Sequence, residues 1–314
     1  MDKSQTLTKS LEKLKENFIL LSDEPMKLHT SMQVGGPADL FALPETQKEL
    51  INLFVKAQKT KIPLEIIGDG TNLLVKDSGI RGLVISTKKL NNKINIEKIT
   101  SKGIIVHCSS GTKLSKLCNF ALDNSLKGLE FAAGIPGTLG GAVFMNAGIP
   151  DGSISDVIDS ITIITNSGEI KTLNKNNLNF SYRKLSLCNS RFNGIILGVN
   201  LVLQKGDSQE IKRQFHKNLN NKKLSQPLTE KSAGCIFKNP DNKEPAGKLI
   251  DMAGLKGKQI GDARVSDLHA NFIVNAGNSK CTDVLTLINY LVSKISHSYS
   301  VELETEIIIK GDDK

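Results

Sequence analysis

Four groups of residues in this sequence have types and spacings suited to chemistry. Gly68-Asp69-Gly70-Thr71-Asn72 follows the apolar run Leu64–Ile67. Glycines there let main-chain N–H groups approach an anion, and Thr71 and Asn72 add side-chain donors. The segment reads as a diphosphate cradle or as a tight structural turn. It is neither a Walker loop nor a GxGxxG fingerprint. The second group is Gly134-Ile135-Pro136-Gly137, continuing through Gly140-Gly141 to Asn146 and Gly148. Such small residues let a planar ring lie against main chain; the alternative is close packing of chain segments with no ligand. The third is Ser181-Tyr182-Arg183, either a carboxylate clamp or a surface arginine. The fourth joins Ser232-Ala233-Gly234-Cys235-Ile236-Phe237-Lys238-Asn239-Pro240 with Glu302, Glu304 and Glu306. Cys235 is either a reactive thiol in a turn or a buried small hydrophobe. The glutamates alternate with Val301, Leu303, Thr305 and Ile307, so a strand there would carry three carboxylates on one face.

These groups need elements to hold them. Leu7, Leu11, Leu14 and Phe18 recur at helical spacing and predict an amphipathic helix over residues 6–18. Thr46-Gln47-Lys48-Glu49 is a capping box ahead of Leu50, Leu53, Phe54 and Ala57, which predicts a helix. Strands are expected over 64–67 and 82–85. From residue 103 a strand and then a helix lead to the glycine-rich stretch. Residues 160–173 read as a hairpin turning at Asn166-Ser167-Gly168, and 194–204 as a further strand. The charged run 205–226 reads as a helix connecting two units. Beyond it, strands are expected at 234–237, 271–275 and 301–309, with helices at 245–253 and 282–297. The class is α+β, with the C-terminal third a separate α/β unit.

Composition excludes several roles. A chain of 314 residues with 39% hydrophobic residues can build a sizeable core in two or three units. The net charge of +9 is dispersed over lysines, and aromatics are 4% with no Trp, which argues against a nucleic-acid binder built on base stacking. Five arginines in the whole chain make Arg183 conspicuous. Residues 131–150 carry no charge for twenty positions but contain five Gly and two Pro, so a buried, backbone-rich loop is expected and no membrane insertion. Five cysteines without a CxxC indicate neither a disulfide framework nor a zinc site, and no metal is expected. The N-terminus lacks the apolar core of a signal peptide, and a cytoplasmic location is expected.

In combination these segments resemble the UDP-N-acetylenolpyruvoylglucosamine reductase family. The resemblance runs from about residue 28 to residue 311. It is carried in order by HTSMQVGGPAD, IGDGTNLLV, GLEFAAGIPGTLGGAVFMNAG, SYRKL, SAGCIFKNP, AGKLIDMAGLKG, HANFIVNAGN and LETEIIIKG. It implies a two-part FAD-binding module of the vanillyl-alcohol-oxidase type, residues 1–90 and 91–206, and a C-terminal α/β substrate-binding domain, residues 207–314. It implies NADPH as reductant, a UDP-sugar carrying an enolpyruvyl group as substrate, and no obligate protein partner. Gly68, Asp69, Gly70, Thr71 and Asn72 would hold the FAD diphosphate. Gly134, Ile135, Pro136, Gly137, Gly140, Gly141 and Asn146 would lie along the flavin. Neither segment contains histidine, so the FAD is expected to be non-covalent.

The same resemblance assigns catalytic roles. Arg183 would stabilise the enolate that forms when hydride reaches the enolpyruvyl group. A protonated Glu306 would hydrogen-bond the substrate carboxylate. Cys235, where other members have serine, would deliver a proton to carbon; a thiol, with a reference pKa of about 8.5, is the stronger acid of the two. Tyr182, Lys238 and Asn239 would contact the sugar nucleotide. The sequence departs from the family pattern in the run NAGIPDGSISD, where Ser153 stands near an expected acid. It departs again at Thr305, a position often proline. No insertion between Gly194 and Lys231 is suited to a tyrosine-bearing lid, so the chain resembles the shorter family type. An oxidase on the same flavin fold is the alternative expectation; it would have no need of Cys235 or Glu306.

Overall fold

The computed structural model describes residues 10–15, 18–91, 93–188, 192 and 194–312. Of the first predicted helix, residues 10–15 are helical with Leu14 buried; Leu7 lies outside the described residues. The chain divides into two units. The first comprises Met1–Leu20, Phe41–Asp69 and Leu83–Asn221; the second comprises Leu21–Leu40, Gly70–Gly82 and Lys222–Lys314.

The first unit contains the helix Gln47–Lys59, whose capping box forms as the sequence requires. Thr46 Oγ1 accepts from Glu49 N (3.1 Å), and the Glu49 carboxylate accepts from Thr46 N (3.4 Å). The strand Leu64–Ile67 runs parallel to Leu83–Ser86. The body of the unit is an antiparallel sheet in the order Ile170–Asn174, Ile158–Ile164, Ile195–Lys205, Gly103–Ser109, Ile94–Thr100. The predicted hairpin supplies its first two strands. The helix Leu114–Asp123 buries Leu114, Leu117, Cys118 and Ala121 in the same core as Val106, Ile161, Val199 and Leu201.

Residues 131–150 are more ordered than the expected loop. They contain the helix Leu139–Phe144, started by Thr138, whose Oγ1 accepts from Gly141 N (3.4 Å). Two glycines lower helix propensity, which hides this turn from pattern reading; burial of Leu139, Ala142 and Val143 holds it in place. Among the described residues no helix is long and apolar enough to cross a membrane.

The second unit is assembled from three stretches of chain. Its antiparallel sheet runs in the order Ser232–Cys235, Phe272–Asn275, Ala263–Val265, Gln259–Ile260. The helix Cys281–Tyr299 buries Val284, Leu287, Ile288, Leu291 and Ile295, an i, i+3, i+4, i+7 stripe. Met32, Val34 and Leu74, contributed by the two short upstream stretches, join the core of Ile236, Phe237, Ile250 and Ile273. The expected strand 301–309 is shorter: only Ile308–Lys310 forms one, parallel to Leu73–Val75. Upstream of it Thr305 makes an isolated bridge to Phe237. Val301, Leu303 and Ile307 are buried, Glu302 and Glu304 are exposed, and Thr305 and Glu306 are half-buried.

Asp77 ties one upstream stretch to the long helix. Its carboxylate accepts from Cys281 N (2.8 Å), Thr282 N (2.9 Å) and the Thr282 hydroxyl. Burial alone would raise its pKa; the Thr282 and Cys281 bonds, with the Lys280 charge, outweigh it, and the pKa lies below the ordinary 3.8. Because the folded pKa is the lower one, this stabilisation is present above the ordinary value and is lost as pH falls through the folded one. Asp77→Ala is therefore expected to cost about 1 kcal/mol of unfolding free energy at pH 7. The gap from wild type should narrow below pH ~3.9 as the wild-type carboxyl protonates. Urea unfolding at the two pH values checks both; an equal gap at both contradicts the charged cap.

Candidate functional site

In the first unit Gly68 lies against the second glycine-rich segment. A side-chain carbon at Gly68 would overlap Thr138 Oγ1, and one at Gly140 would come within 2.9 Å of Ser110 Cβ. The Gly68 carbonyl accepts from the Ser86 hydroxyl (2.8 Å). Asp69 lies 3.9 Å from Lys113 Nζ. The turn Ser110–Thr112 is tied to the start of the short helix by Leu139 N to Thr112 O (2.7 Å) and Gly140 N to Ser110 O (2.7 Å). Gly134 and Gly137 take left-handed φ values of 70° and 111°, while Pro136 and Gly141 stay exposed. Ile135 is half-buried, its N–H bonded to Ala132 O (3.0 Å).

Two buried hydroxyls beside this junction, Ser110 Oγ and Thr112 Oγ1, have no hydrogen-bond partner among the described residues. Orphaned polar atoms of this kind mark places where a polar group normally completes the bonding. Together with glycines that admit no side chain, the hydroxyl of Thr138 and the cation of Lys113, they fit a phosphate-bearing, polar-edged cofactor such as FAD. Ser110, Thr112 and Lys113 escaped the sequence reading. Their signal was a hydroxyl–glycine–hydroxyl–lysine run directly after a strand.

Arg183 is placed by a hairpin, Leu178–Ser181 with Lys184–Leu187, in which Tyr182 and Arg183 form the turn. Arg183 has φ 57°, a region that usually belongs to Gly or Asn. Strain of this kind in a large charged residue persists where surrounding structure demands it. Its Nη1 donates to Gly148 O (3.3 Å), and its guanidinium carbon lies 4.9 Å from the centre of the half-exposed Tyr182 ring. Asn146, itself at φ 41°, donates to Ser181 O (3.1 Å), which fastens the end of the glycine-rich segment to this turn.

The second unit holds Gly70, Thr71, Asn72, Cys235, Lys238, Asn239 and Glu306. Gly70 is required at its turn: φ is 66°, and a side-chain carbon would overlap His29 O. Its carbonyl accepts from Ser31 N (3.1 Å), and the Ser31 hydroxyl donates to Ser232 O (2.6 Å). Thr71 is half-buried. The Asn72 side chain donates to Glu306 O (3.2 Å), and Ile308 N returns to Asn72 O (3.0 Å). Asn72 thus braces the glutamate segment, a contact that sequence spacing across more than two hundred residues does not reveal.

Cys235 closes its strand just after a bulge. Ser232 pairs with Val274 and Cys235 with Phe272, so three steps on one strand face two on the other. Gly234 supplies the extra residue at φ 79°, with nothing within 4 Å of a side-chain carbon built there. Its conformation, not space, calls for glycine, and the bulge re-aims the next side chain. Beyond it, Glu306 N donates to Ile236 O (2.7 Å) and Lys238 N to Glu304 O (2.8 Å). The structure therefore brings the Cys235 and Glu306 segments side by side. Lys238 pairs with Glu304, and the exposed Asn239 accepts from Ala246 N (3.1 Å) at the start of the helix Ala246–Met252. Burial pushes the Cys108 and Cys281 thiols up to about 12, so neither is a ready acid. Cys235, by contrast, is half-buried. Among the described residues no cluster of three or more His, Cys, Asp or Glu side chains is arranged to hold a metal.

Known proteins bear on this arrangement. Residues 226–310 match the profile of the UDP-N-acetylenolpyruvoylglucosamine reductase C-terminal domain, and residues 38–174 that of an FAD binding domain. A UDP-N-acetylenolpyruvoylglucosamine reductase of Clostridium kluyveri is 43% identical over 291 residues, 93% of each chain. One of Clostridium novyi is 41% identical over 313 residues, 100% of this chain and 99% of the relative. The crystal structure of the reductase from Thermus caldophilus superposes with a TM-score of 0.77 at 34% identity, covering 93% of this chain and 99% of that one.

The bulge yields a test. Gly234→Ala is expected to destabilise the protein by about 1–2 kcal/mol, the cost of a left-handed residue with a side chain, with no new clash. Chemical denaturation reads this directly; a neutral or stabilising effect would show that φ at 234 is not constrained as described.

Proposed function

The chain belongs to the UDP-N-acetylenolpyruvoylglucosamine reductase family, and on that premise we propose how its residues divide the reaction. The activity is the NADPH-dependent, FAD-mediated reduction of UDP-N-acetylglucosamine enolpyruvate to UDP-N-acetylmuramate, a step in peptidoglycan precursor synthesis. Bound FAD would supply the hydride-transfer chemistry that links NADPH to the enolpyruvyl double bond. Residues 1–90 and 91–206 hold that FAD non-covalently in this reading, and 207–314 bind the sugar nucleotide. The segments Gly68–Asn72 and Gly134–Gly141, with Asn146, hold the cofactor, joined by the hydroxyls of Ser110 and Thr112. Tyr182, Lys238 and Asn239 face the sugar nucleotide. The protein acts in the cytoplasm, with no nucleic acid and no obligate protein partner.

Arg183 supplies positive charge and N–H donors to the enolate. Its constrained turn pre-sets the guanidinium, so little reorganisation accompanies the reaction. Glu306, protonated, donates to the substrate carboxylate and so disperses the enolate charge further. Cys235 then transfers its proton to the carbon beside that carboxylate. The observation that carries this reading is the pairing of the Cys235 and Glu306 segments through Ile236 O and Lys238 N. It supports one site with two acids on adjoining backbone.

Half-reactions separate these roles. Without oxygen, Cys235→Ala is expected to be reduced by NADPH at a near wild-type rate. Its reoxidation by the enolpyruvyl sugar should be about 10²–10⁴-fold slower, the usual range for loss of a general acid. Cys235→Ser should keep far more activity than the alanine variant. Equal damage to both half-reactions removes the proton-donor role, and rapid reoxidation by oxygen alone favours an oxidase.

A further inference from the structure

We propose that Asn271 is a positioning residue for the protonation half of the reaction: its side-chain amide fixes the main chain that carries Cys235. The proposal rests on the role given to Cys235 above and deepens it. After Cys235 the chain leaves its sheet ladder, and one residue takes over the ladder's work. Ile236 N donates to the Asn271 main-chain carbonyl (2.8 Å). Phe237 N donates to Asn271 Oδ1 (2.9 Å), and Asn271 Nδ2 donates to Phe237 O (2.8 Å). The side-chain amide thus imitates a peptide group of a neighbouring strand. On the other side, Ile236 O accepts from Glu306 N and Lys238 N donates to Glu304 O. Every main-chain polar group from Ile236 N to Lys238 N is taken up by Asn271 or by residues 304–306.

The site is dry. Phe237 is 1% exposed and Asn271 3%, so the bonds cannot be exchanged for water without opening the core. Orphaning a buried peptide group is costly, which makes the amide a strong constraint on the segment. Only Asn presents a donor and an acceptor at this reach; Asp presents two acceptors unless protonated, and Ala neither. The constraint is local to the two residues following Cys235 and to the strand of carbonyls leading to Glu306. Misplacement there should therefore slow proton delivery and spare NADPH-driven reduction of the flavin.

The experiment uses the FAD-loaded protein in anaerobic rapid mixing, with Asn271→Ala, Asn271→Asp and Cys235→Ala run beside wild type. Asn271→Ala is expected to reduce normally with NADPH and reoxidise about 100-fold more slowly with the enolpyruvyl sugar, the scale of a misplacement near 1 Å. Asn271→Asp should be equally slow at neutral pH and recover as pH falls, because a buried carboxyl titrates high and, once protonated, donates to Phe237 O. His269, whose ring nitrogen Nδ1 accepts from Asn271 N (3.2 Å), also titrates here. Burial lowers its pKa, and Lys256 adds to this. Asn271→Ala retains His269 and Lys256, so recovery seen in Asp but not in Ala belongs to the new carboxyl. Slow reoxidation in Cys235→Ala with a normal rate in Asn271→Ala overturns the positioning role alone. Parallel loss of both half-reactions in Asn271→Ala, with no acid recovery in Asp, also overturns it and leaves a purely structural residue. Normal reoxidation in Cys235→Ala overturns the reading beneath it.

Discussion

The hydrogen bonds that bracket Ile236, Phe237 and Lys238 decide where the Cys235 and Glu306 segments lie. Buried peptide groups must be paired, and here the pairing draws together three distant pieces of chain: Asn271, the segment 304–306, and through Glu306 O the side chain of Asn72. Slipping any of them by one residue would strand several buried polar groups at once. The bulge at Gly234 and the parallel strand Ile308–Lys310 are the two ends of this arrangement. One re-aims the thiol; the other anchors the glutamate. Both ends are held by the chain's own main-chain pairing.

A different logic governs the first unit. There the absence of side chains does the positioning. Gly68 and Gly140 let main chain approach Thr138 and Ser110 more closely than any other residue allows. Two buried hydroxyls there, at Ser110 and Thr112, are left without a hydrogen-bond partner among the described residues. A cofactor rich in hydrogen-bonding edges would resolve that deficit, as the proposed site requires. Arg183, held in a left-handed turn and bonded to Gly148 O, belongs to the same economy of constraint: a residue that could adopt many rotamers is narrowed to few.

Much of this was legible in the sequence because the physics is local. The capping box at Thr46, the hairpin at 166–168 and the stripe along Cys281–Tyr299 follow from spacing alone, and the structure has each. The helix Leu139–Phe144 was hidden because two glycines argue against it and only tertiary burial argues for it. The alternation of Val301 to Ile307 read as a strand, yet the segment finds only an isolated bridge, because pattern reports burial and not a pairing partner. The bracing by Asn72 and Asn271 was illegible for another reason. Each acts across a long sequence separation through a side-chain amide, and no periodicity records such a contact.

Amide hydrogen exchange on the FAD-loaded wild-type protein, without substrate, tests most directly whether this register exists before the reaction begins. The N–H groups of Ile236, Phe237, Lys238 and Glu306 should exchange as slowly as those of the central strand Phe272–Asn275, since all are bonded in one buried array. Exchange of those four at the rate of exposed loop amides, while Phe272–Asn275 stays protected, would contradict the account.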